Sequence, residues 1–136
     1  MTTNYYATFI SVAPDCPVTV AVQPPSSADK PTVAALQYEL LAAHPYEYTS
    51  DDVLFAVYAR RADLPPERLD EERARFFAKD QACFRASPLS KRYGWGTHHD
   101  GQGRVALIPV DSDETQRLLA DPNLVQKVAM RSSRAR

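Results

Sequence analysis

Hydrophobic residues recur along the chain in strand-like and helix-like spacings. Residues 5–12 are rich in aromatic and β-branched side chains and predict a strand that ends before Pro14. Residues 18–22 alternate in a similar way, but the prolines around them leave an edge strand and an extended loop as alternatives. Residues 24–31 are polar and turn-rich, which predicts a surface loop.

Three helices are predicted in the middle of the chain. Apolar residues recur at helical spacing over 32–43, and Pro45 ends this segment. Thr49, followed by serine and two aspartates, is typical of a helix start, because a hydroxyl can cap free N–H groups and acids favour the positive end of the helix dipole. A third helix, near 66–79, begins with prolines and acids and ends with basic residues.

The last third of the chain predicts a hairpin, a short helix and a strand. Residues 100–103 have turn chemistry and separate two extended segments, 92–99 and 104–110. Residues 111–114 are typical of a helix start, and 125–130 can form a final strand.

This order of elements predicts an α+β fold. Helices grouped between strands indicate a single compact domain with a mostly antiparallel sheet and about four helices. A length of 136 residues, with 44% hydrophobic and 24% charged residues, suits one globular domain. We expect that domain to cover residues 1–130, followed by a basic, disordered tail at 131–136.

The charge of the chain is balanced in sum but uneven in distribution. A formal net charge of −1 disfavours a dedicated nucleic-acid binder. Residues 1–84 nevertheless carry 7 Lys/Arg against 12 Asp/Glu, whereas residues 85–136 carry 9 against 5. Either the two halves attract each other, or the second half presents a basic face.

Cysteine usage and hydropathy predict the compartment. Cys16 and Cys83 lie far apart and form no CxxC motif. The N-terminus lacks the charged and apolar regions of a signal peptide, and no apolar segment approaches the roughly 20 residues of a membrane span. We therefore expect a cytoplasmic protein with reduced thiols and no membrane association.

Residues 83–99 are the most distinctive segment, because they hold the single Trp, two of the four Gly, two of the three His and a basic cluster. Four cations within or near this segment are candidate anion ligands: Arg85, Lys91, Arg92 and Arg104. Arginine matches a carboxylate or phosphate with two hydrogen bonds, and lysine adds a point charge. The alternative is that these cations pair with the acidic helices at 51–72.

The same segment offers aromatic, imidazole and thiol groups. Trp95, next to Tyr93 and between two glycines, either stacks on a ligand or anchors the core. His98 and His99 are adjacent, and adjacent strand residues point to opposite faces, so we expect no metal site here. Either imidazole can act as a general acid or base, and Cys83 is a candidate nucleophile.

Several long motifs resemble those of one small bacterial family of unknown function. They are Asn4-Tyr5-Tyr6, Thr8-Phe9-Ile10, Ala34-Ala35-Leu36-Gln37-Tyr38-Glu39, Tyr48-Thr49-Ser50-Asp51-Asp52-Val53-Leu54-Phe55, Gln81-Ala82-Cys83-Phe84-Arg85-Ala86-Ser87-Pro88-Leu89, Lys91-Arg92-Tyr93-Gly94-Trp95-Gly96 and Ala129-Met130-Arg131-Ser132. The likeness covers nearly the whole chain. It implies a single bacterial cytosolic domain and transfers no chemistry, cofactor or catalytic residue.

The sequence therefore predicts a non-catalytic cytosolic binding or interaction module. Its basic-aromatic surface would present these residues to an anionic small molecule or protein partner: Arg85, Lys91, Arg92, Tyr93, Trp95, His98 and Arg104. The alternative is a small enzyme that uses Cys83, His98 or His99 as nucleophile or general acid/base. We expect no metal and no cofactor, and a nucleic acid is the less favoured partner.

Overall fold

The computed structural model describes residues 1–26 and 29–133. In chain order these residues form β1 (Thr8–Ser11), α1 (Val33–Ala43), α2 (Ser50–Arg61), α3 (Leu69–Phe77), α4 (Pro88–Arg92), β2 (Trp95–His99), β3 (Val105–Pro109), α5 (Asp113–Leu119) and β4 (Val125–Val128). Short 3₁₀ turns at Pro66–Arg68 and Phe84–Ala86 precede α3 and α4. The α+β class is confirmed. The described residues form five α-helices rather than about four, because the turn opened by Ser87 and Pro88 continues into α4.

The four strands form one mixed sheet in the order β3-β2-β1-β4. The predicted hairpin is present as β2 and β3, and β1 pairs antiparallel with β2. β4, in contrast, is parallel to β1, with Thr8 opposite Val125. The prediction of a mostly antiparallel sheet is therefore corrected to a mixed one. The connection from β3 through α5 takes the chain to the far edge of the sheet, and such a helical crossover allows parallel pairing.

Alternation along β1 separates two hydrophobic clusters on the two faces of the sheet. Ile10 is fully buried against Leu41 of α1 and Val53 of α2. Phe9 faces the other way and packs against Ile108 of β3 and Leu118 of α5. The sheet therefore lies between α1 and α2 on one face and α5 on the other.

The predicted start of α2 is confirmed as a reciprocal cap. The Thr49 hydroxyl accepts a hydrogen bond from the Asp52 N–H, and the Asp52 carboxylate accepts one from the Thr49 N–H. Single side-chain caps at Thr32, Ser87 and Ser112 begin α1, α4 and α5. Each satisfies an N–H group that has no partner inside its helix.

Residues 18–22 form a loop, which decides between the two alternatives that their sequence leaves open. The Val22 N–H donates to the Tyr93 carbonyl, and the Trp95 indole N–H donates to the Val22 carbonyl. The close approach requires Gly94, whose φ is 81° and whose added Cβ would lie 3.1 Å from the Ala21 Cα. Strand β2 consequently begins at Trp95 rather than at residue 92.

The predicted basic tail at 131–136 lies partly outside the described residues, which end at Ser133. The N–H groups of Ser132 and Ser133 donate to the Asp15 carboxylate, at 2.9 and 3.1 Å. None of the helices in the described ranges has the length and apolar character needed to cross a bilayer.

Candidate functional site: a pocket between α1, α2 and residues 81–88

The predicted basic-aromatic residues do not all lie together. Trp95 pairs with Pro109 at one end of the β2–β3 hairpin. Arg104 precedes Val105, which pairs with His99 at the other end. Arg104 is thus separated from Trp95 by the length of the hairpin, whereas Lys91, Arg92, Tyr93 and Trp95 share the junction between α4 and β2.

Arg85 binds main chain at the edge of the sheet. Its Nε donates to the Val128 carbonyl at 2.9 Å, and its own carbonyl accepts from the Met130 N–H at 2.7 Å. The N–H groups of Val125 and Ala129 point to β1, so the alternate residues point to the open edge of β4. Arg85 therefore covers part of an exposed strand edge, a place where unpaired backbone groups invite unwanted pairing.

The remaining predicted residues are only partly engaged. Within the described part of the chain, no carboxylate lies within 4.0 Å of the Lys91 or Arg92 side-chain nitrogens. The Trp95 ring is half-buried and packs at 5.4 Å from the Tyr38 ring. Trp95 is thus anchored on one side by α1 and on the other by its bond to the loop at Val22.

The two adjacent histidines lie on opposite faces of the sheet. Half-buried His98 has its Nδ1 2.8 Å from the Tyr46 hydroxyl. His99 is fully buried, with Nε2 3.0 Å from the Thr97 hydroxyl and Nδ1 3.4 Å from that of Ser50. Burial, assisted by nearby His98, lowers the pKa of His99 to about 3. His99 is therefore a neutral core residue, and neither of these imidazoles hydrogen-bonds to Cys83, whose partner is Tyr5.

A pocket of about 490 Å³ opens on the helical side of the molecule. Its walls come from α1, from α2 with the end of α3, and from residues 81–88. Most lining side chains are apolar: Val33, Leu54, Val57, Tyr58, Ala62, Phe76, Ala82, Ala86 and Pro88. Five polar or polarisable ones join them: Gln37, Arg61, Gln81, Cys83 and Ser87. This size and this mixture are typical of small-molecule sites.

Two anchors hold the wall formed by residues 81–88. The Gln81 amide donates to the Phe76 carbonyl at 2.7 Å, which fastens the segment to the end of α3. Phe84 is fully buried in the core, and the 3₁₀ turn is closed by the Ala86 N–H donating to the Cys83 carbonyl. Because Phe84 points inward, its neighbour Cys83 stands at the pocket wall.

The thiol of Cys83 has a tyrosine as its partner. The Tyr5 hydroxyl lies 3.1 Å from the Cys83 Sγ. Burial and the contact with Cys83 raise the pKa of Tyr5 to about 12. The phenol therefore stays protonated and can donate a hydrogen bond to the sulfur. The Tyr5 ring packs edge-on against His99 at 5.4 Å. The sequence identified Cys83 but not Tyr5, because 78 residues separate them and neither belongs to a known paired motif.

Gln37 and Ser87 form a buried polar pair in the pocket wall. The Ser87 hydroxyl donates to the Gln37 Oε1 at 2.6 Å and accepts from the Leu89 N–H at 3.2 Å. The Gln37 carbonyl oxygen therefore faces Ser87, which leaves the amide nitrogen as the other end of the side chain. Gln37 is 2% exposed and Ser87 is 4% exposed.

The Gln37 amide nitrogen is the unusual group of this site. No acceptor among the described residues takes a hydrogen bond from it, although such groups are normally paired when buried. In the described ranges, every side-chain nitrogen or oxygen that is sealed from solvent has a hydrogen-bond partner. The Gln37 nitrogen has none, so it is accessible from outside rather than sealed. Its side chain lines the pocket, so it is available to a ligand there. The signal in the sequence was a glutamine among the apolar residues that form the buried side of α1 (Ala34, Ala35, Leu36 and Leu41).

The pocket has no constellation for a metal ion. Across residues 1–26 and 29–133, no group of three or more His, Cys, Asp or Glu side chains is arranged to hold one.

The chain belongs to a family of unknown function, DUF6157, whose model matches residues 1–135. This confirms the resemblance drawn from the motifs to a family without a known activity. Neither the comparison with curated proteins nor that with solved structures gives a match.

Proposed function

We propose that the protein is a binding module for a small organic molecule, held in the pocket between α1, α2 and residues 81–88. One observation carries the proposal: the Gln37 side chain, 2% exposed, lines this largely apolar pocket, and its amide nitrogen has no protein acceptor among the described residues. An apolar body would replace water along the walls, and a carbonyl or other acceptor on the ligand would receive the Gln37 hydrogen bond.

The proposed class of protein, a binding module, is the one predicted from the sequence. The proposed binding site differs: it is the pocket and not the basic-aromatic surface. The basic-aromatic surface is a weaker candidate site because Arg85 is bound to β4 and Arg104 lies at the far end of the hairpin. A cytoplasmic location is in keeping with the free thiols of Cys16 and Cys83.

A second candidate function is an enzyme that uses Cys83 as a nucleophile. The observation in its favour is the Tyr5 hydroxyl at 3.1 Å, which can donate a hydrogen bond to a thiolate. In such an enzyme neither His98 nor His99 would act as the base for Cys83, since both bond to groups outside the pocket. Binding therefore remains the proposal that the geometry supports best.

The test is a ¹H–¹⁵N NMR titration with phenylacetylglycinamide, a neutral probe with an aromatic body and carbonyl acceptors. The proposal predicts saturable shifts at the Gln37 side-chain NH₂ and at the pocket walls. Ala82→Phe, which narrows the pocket, should weaken binding, whereas Ala78→Phe, on an exposed position outside it, should not. Shifts that fail to saturate, or that avoid the pocket, contradict the proposal.

A further inference from the structure

A second depression adjoins the pocket. This basic groove, of about 500 Å³, is lined by Asp29, Lys30, Pro31, Thr32, Arg60 and Arg61. Arg61 lines both the pocket and the basic groove. The two depressions therefore adjoin at the Arg61 side chain.

The basic groove carries a net positive charge. Three cations face one carboxylate, that of Asp29. Within the ranges that the structure describes, no carboxylate oxygen lies within 4.0 Å of Lys30, Arg60 or Arg61. The attraction of these cations for an anion is therefore not cancelled by a direct ion pair.

Other arginines of the same helical layer behave differently. Arg73 pairs with Asp52 at 3.0 Å, Arg68 with Glu72 at 3.2 Å, and Arg75 with the same glutamate at 3.3 Å. These pairs involve arginines of the helices themselves, whereas none of the four cations for which pairing with the acidic helices was the alternative (Arg85, Lys91, Arg92 and Arg104) lies within 4.0 Å of a carboxylate among the described residues. Arg60 and Arg61, in the last turn of α2, take part in none of these pairs.

We propose, on the basis of the proposed function, that the ligand of the pocket carries an oxyanion, which binds in the basic groove at Arg60 and Arg61. The apolar body lies against α1 and α2, Gln37 donates to an acceptor in the body of the ligand, and the terminal anion reaches Arg61. A guanidinium matches a carboxylate or phosphate group with two hydrogen bonds, which fixes the orientation of such a ligand. The ligand class is an apolar organic molecule that ends in an oxyanion.

A matched pair of probes tests this assignment. Phenylacetylglycine and phenylacetylglycinamide differ in the terminal group, a carboxylate in one and a neutral amide in the other. At low salt the carboxylate should bind about threefold to tenfold more tightly, and the difference should shrink as NaCl is added. Arg61→Gln should remove the preference, and Arg68→Gln, at an arginine paired within its own helical segment, should retain it.

The outcomes separate the two proposals. If the amide binds in the pocket and the carboxylate binds no more tightly, the oxyanion site is wrong and the proposed function stands. A preference that persists unchanged in Arg61→Gln also rejects the basic groove as its source. If neither probe binds, both the site and the proposed function fail.

Discussion

Ser87 directs Gln37. The serine hydroxyl donates to the glutamine carbonyl oxygen at 2.6 Å, and this bond leaves the amide nitrogen as the free end of the side chain. The pair joins α1 to the start of α4, so the ligand donor is held by the packing of two helices rather than by a loop. Such placement favours a preorganised site.

Two substitutions at this pair should differ in their effect on ligand binding. Gln37→Met removes the donor at similar size, together with the acceptor of the Ser87 hydroxyl, and we expect roughly tenfold weaker binding of phenylacetylglycinamide. Ser87→Ala removes a helix cap and the same buried hydrogen bond, costing about 1–2 kcal/mol of unfolding free energy; the Gln37 donor stays but is less well oriented, so we expect a smaller loss of affinity. NMR titration and urea unfolding measure the two effects. Equal loss of affinity in both variants would argue against Gln37 as the ligand donor.

Ligand occupancy should protect Cys83 from alkylation. The thiol lines the pocket, whereas Cys16 packs at the edge of the hydrophobic core away from it. We expect iodoacetamide to modify Cys83 more slowly at saturating phenylacetylglycinamide, with the rate at Cys16 unchanged. Peptide mass spectrometry measures both rates in one sample. An unchanged rate at Cys83 would place the probe elsewhere.

Arg85 should act in stability rather than in ligand binding. Arg85→Ala loses the bond to the Val128 carbonyl, and we expect a decrease of about 1 kcal/mol in unfolding free energy. The matched control is Arg92→Ala, at an exposed position, where the expected change is within about 0.5 kcal/mol. Urea denaturation compares them. Equal stabilities would show that the Arg85 contact with β4 contributes nothing.

Acid should destabilise the fold through His99. Its pKa is about 3 in the folded protein because of burial, against 6.5 for a free imidazole, so the unfolded chain binds the proton more readily. The stabilising contribution of neutral His99 is complete above pH 6.5 and is lost as the pH falls toward 3. Within that window, each decrease of one pH unit lowers the unfolding free energy by about 1.4 kcal/mol.

The pH effect is measured by urea unfolding of the wild type and of His99→Gln at several pH values between 7 and 4.5. Carboxylates contribute equally to both curves, so the difference isolates the imidazole. We expect the wild type to lose stability more steeply below pH 6. Parallel curves would contradict a buried neutral His99.

Local structure was predictable wherever one short segment decides it. Thr49 and Asp52 are three residues apart and form their cap from within the same turn. Residues 100–103 likewise fix the hairpin by their own turn chemistry. The parallel pairing of β4 was not predictable, because the sequence does not tell which edge a strand joins after α5.

The site was less predictable, since distant segments build it. The contact between Tyr5 and Cys83 brings an N-terminal residue to the middle of the chain. Arg85 was selected as an anion ligand for its chemistry, but packing gives it a backbone partner on β4. Gln37 is a polar residue on a buried helical face. Composition alone does not distinguish such a glutamine from one on the surface.

Intermolecular contacts show whether the probe binds in the pocket between α1, α2 and residues 81–88. In a sample of the protein saturated with phenylacetylglycinamide, intermolecular nuclear Overhauser effects report which methyl groups lie near the aromatic ring of the probe. We predict contacts to Val33, Leu54 and Val57, together with a shifted Gln37 side-chain NH₂ signal. The binding site is contradicted if a saturating probe contacts other methyl groups and the Gln37 signal does not shift.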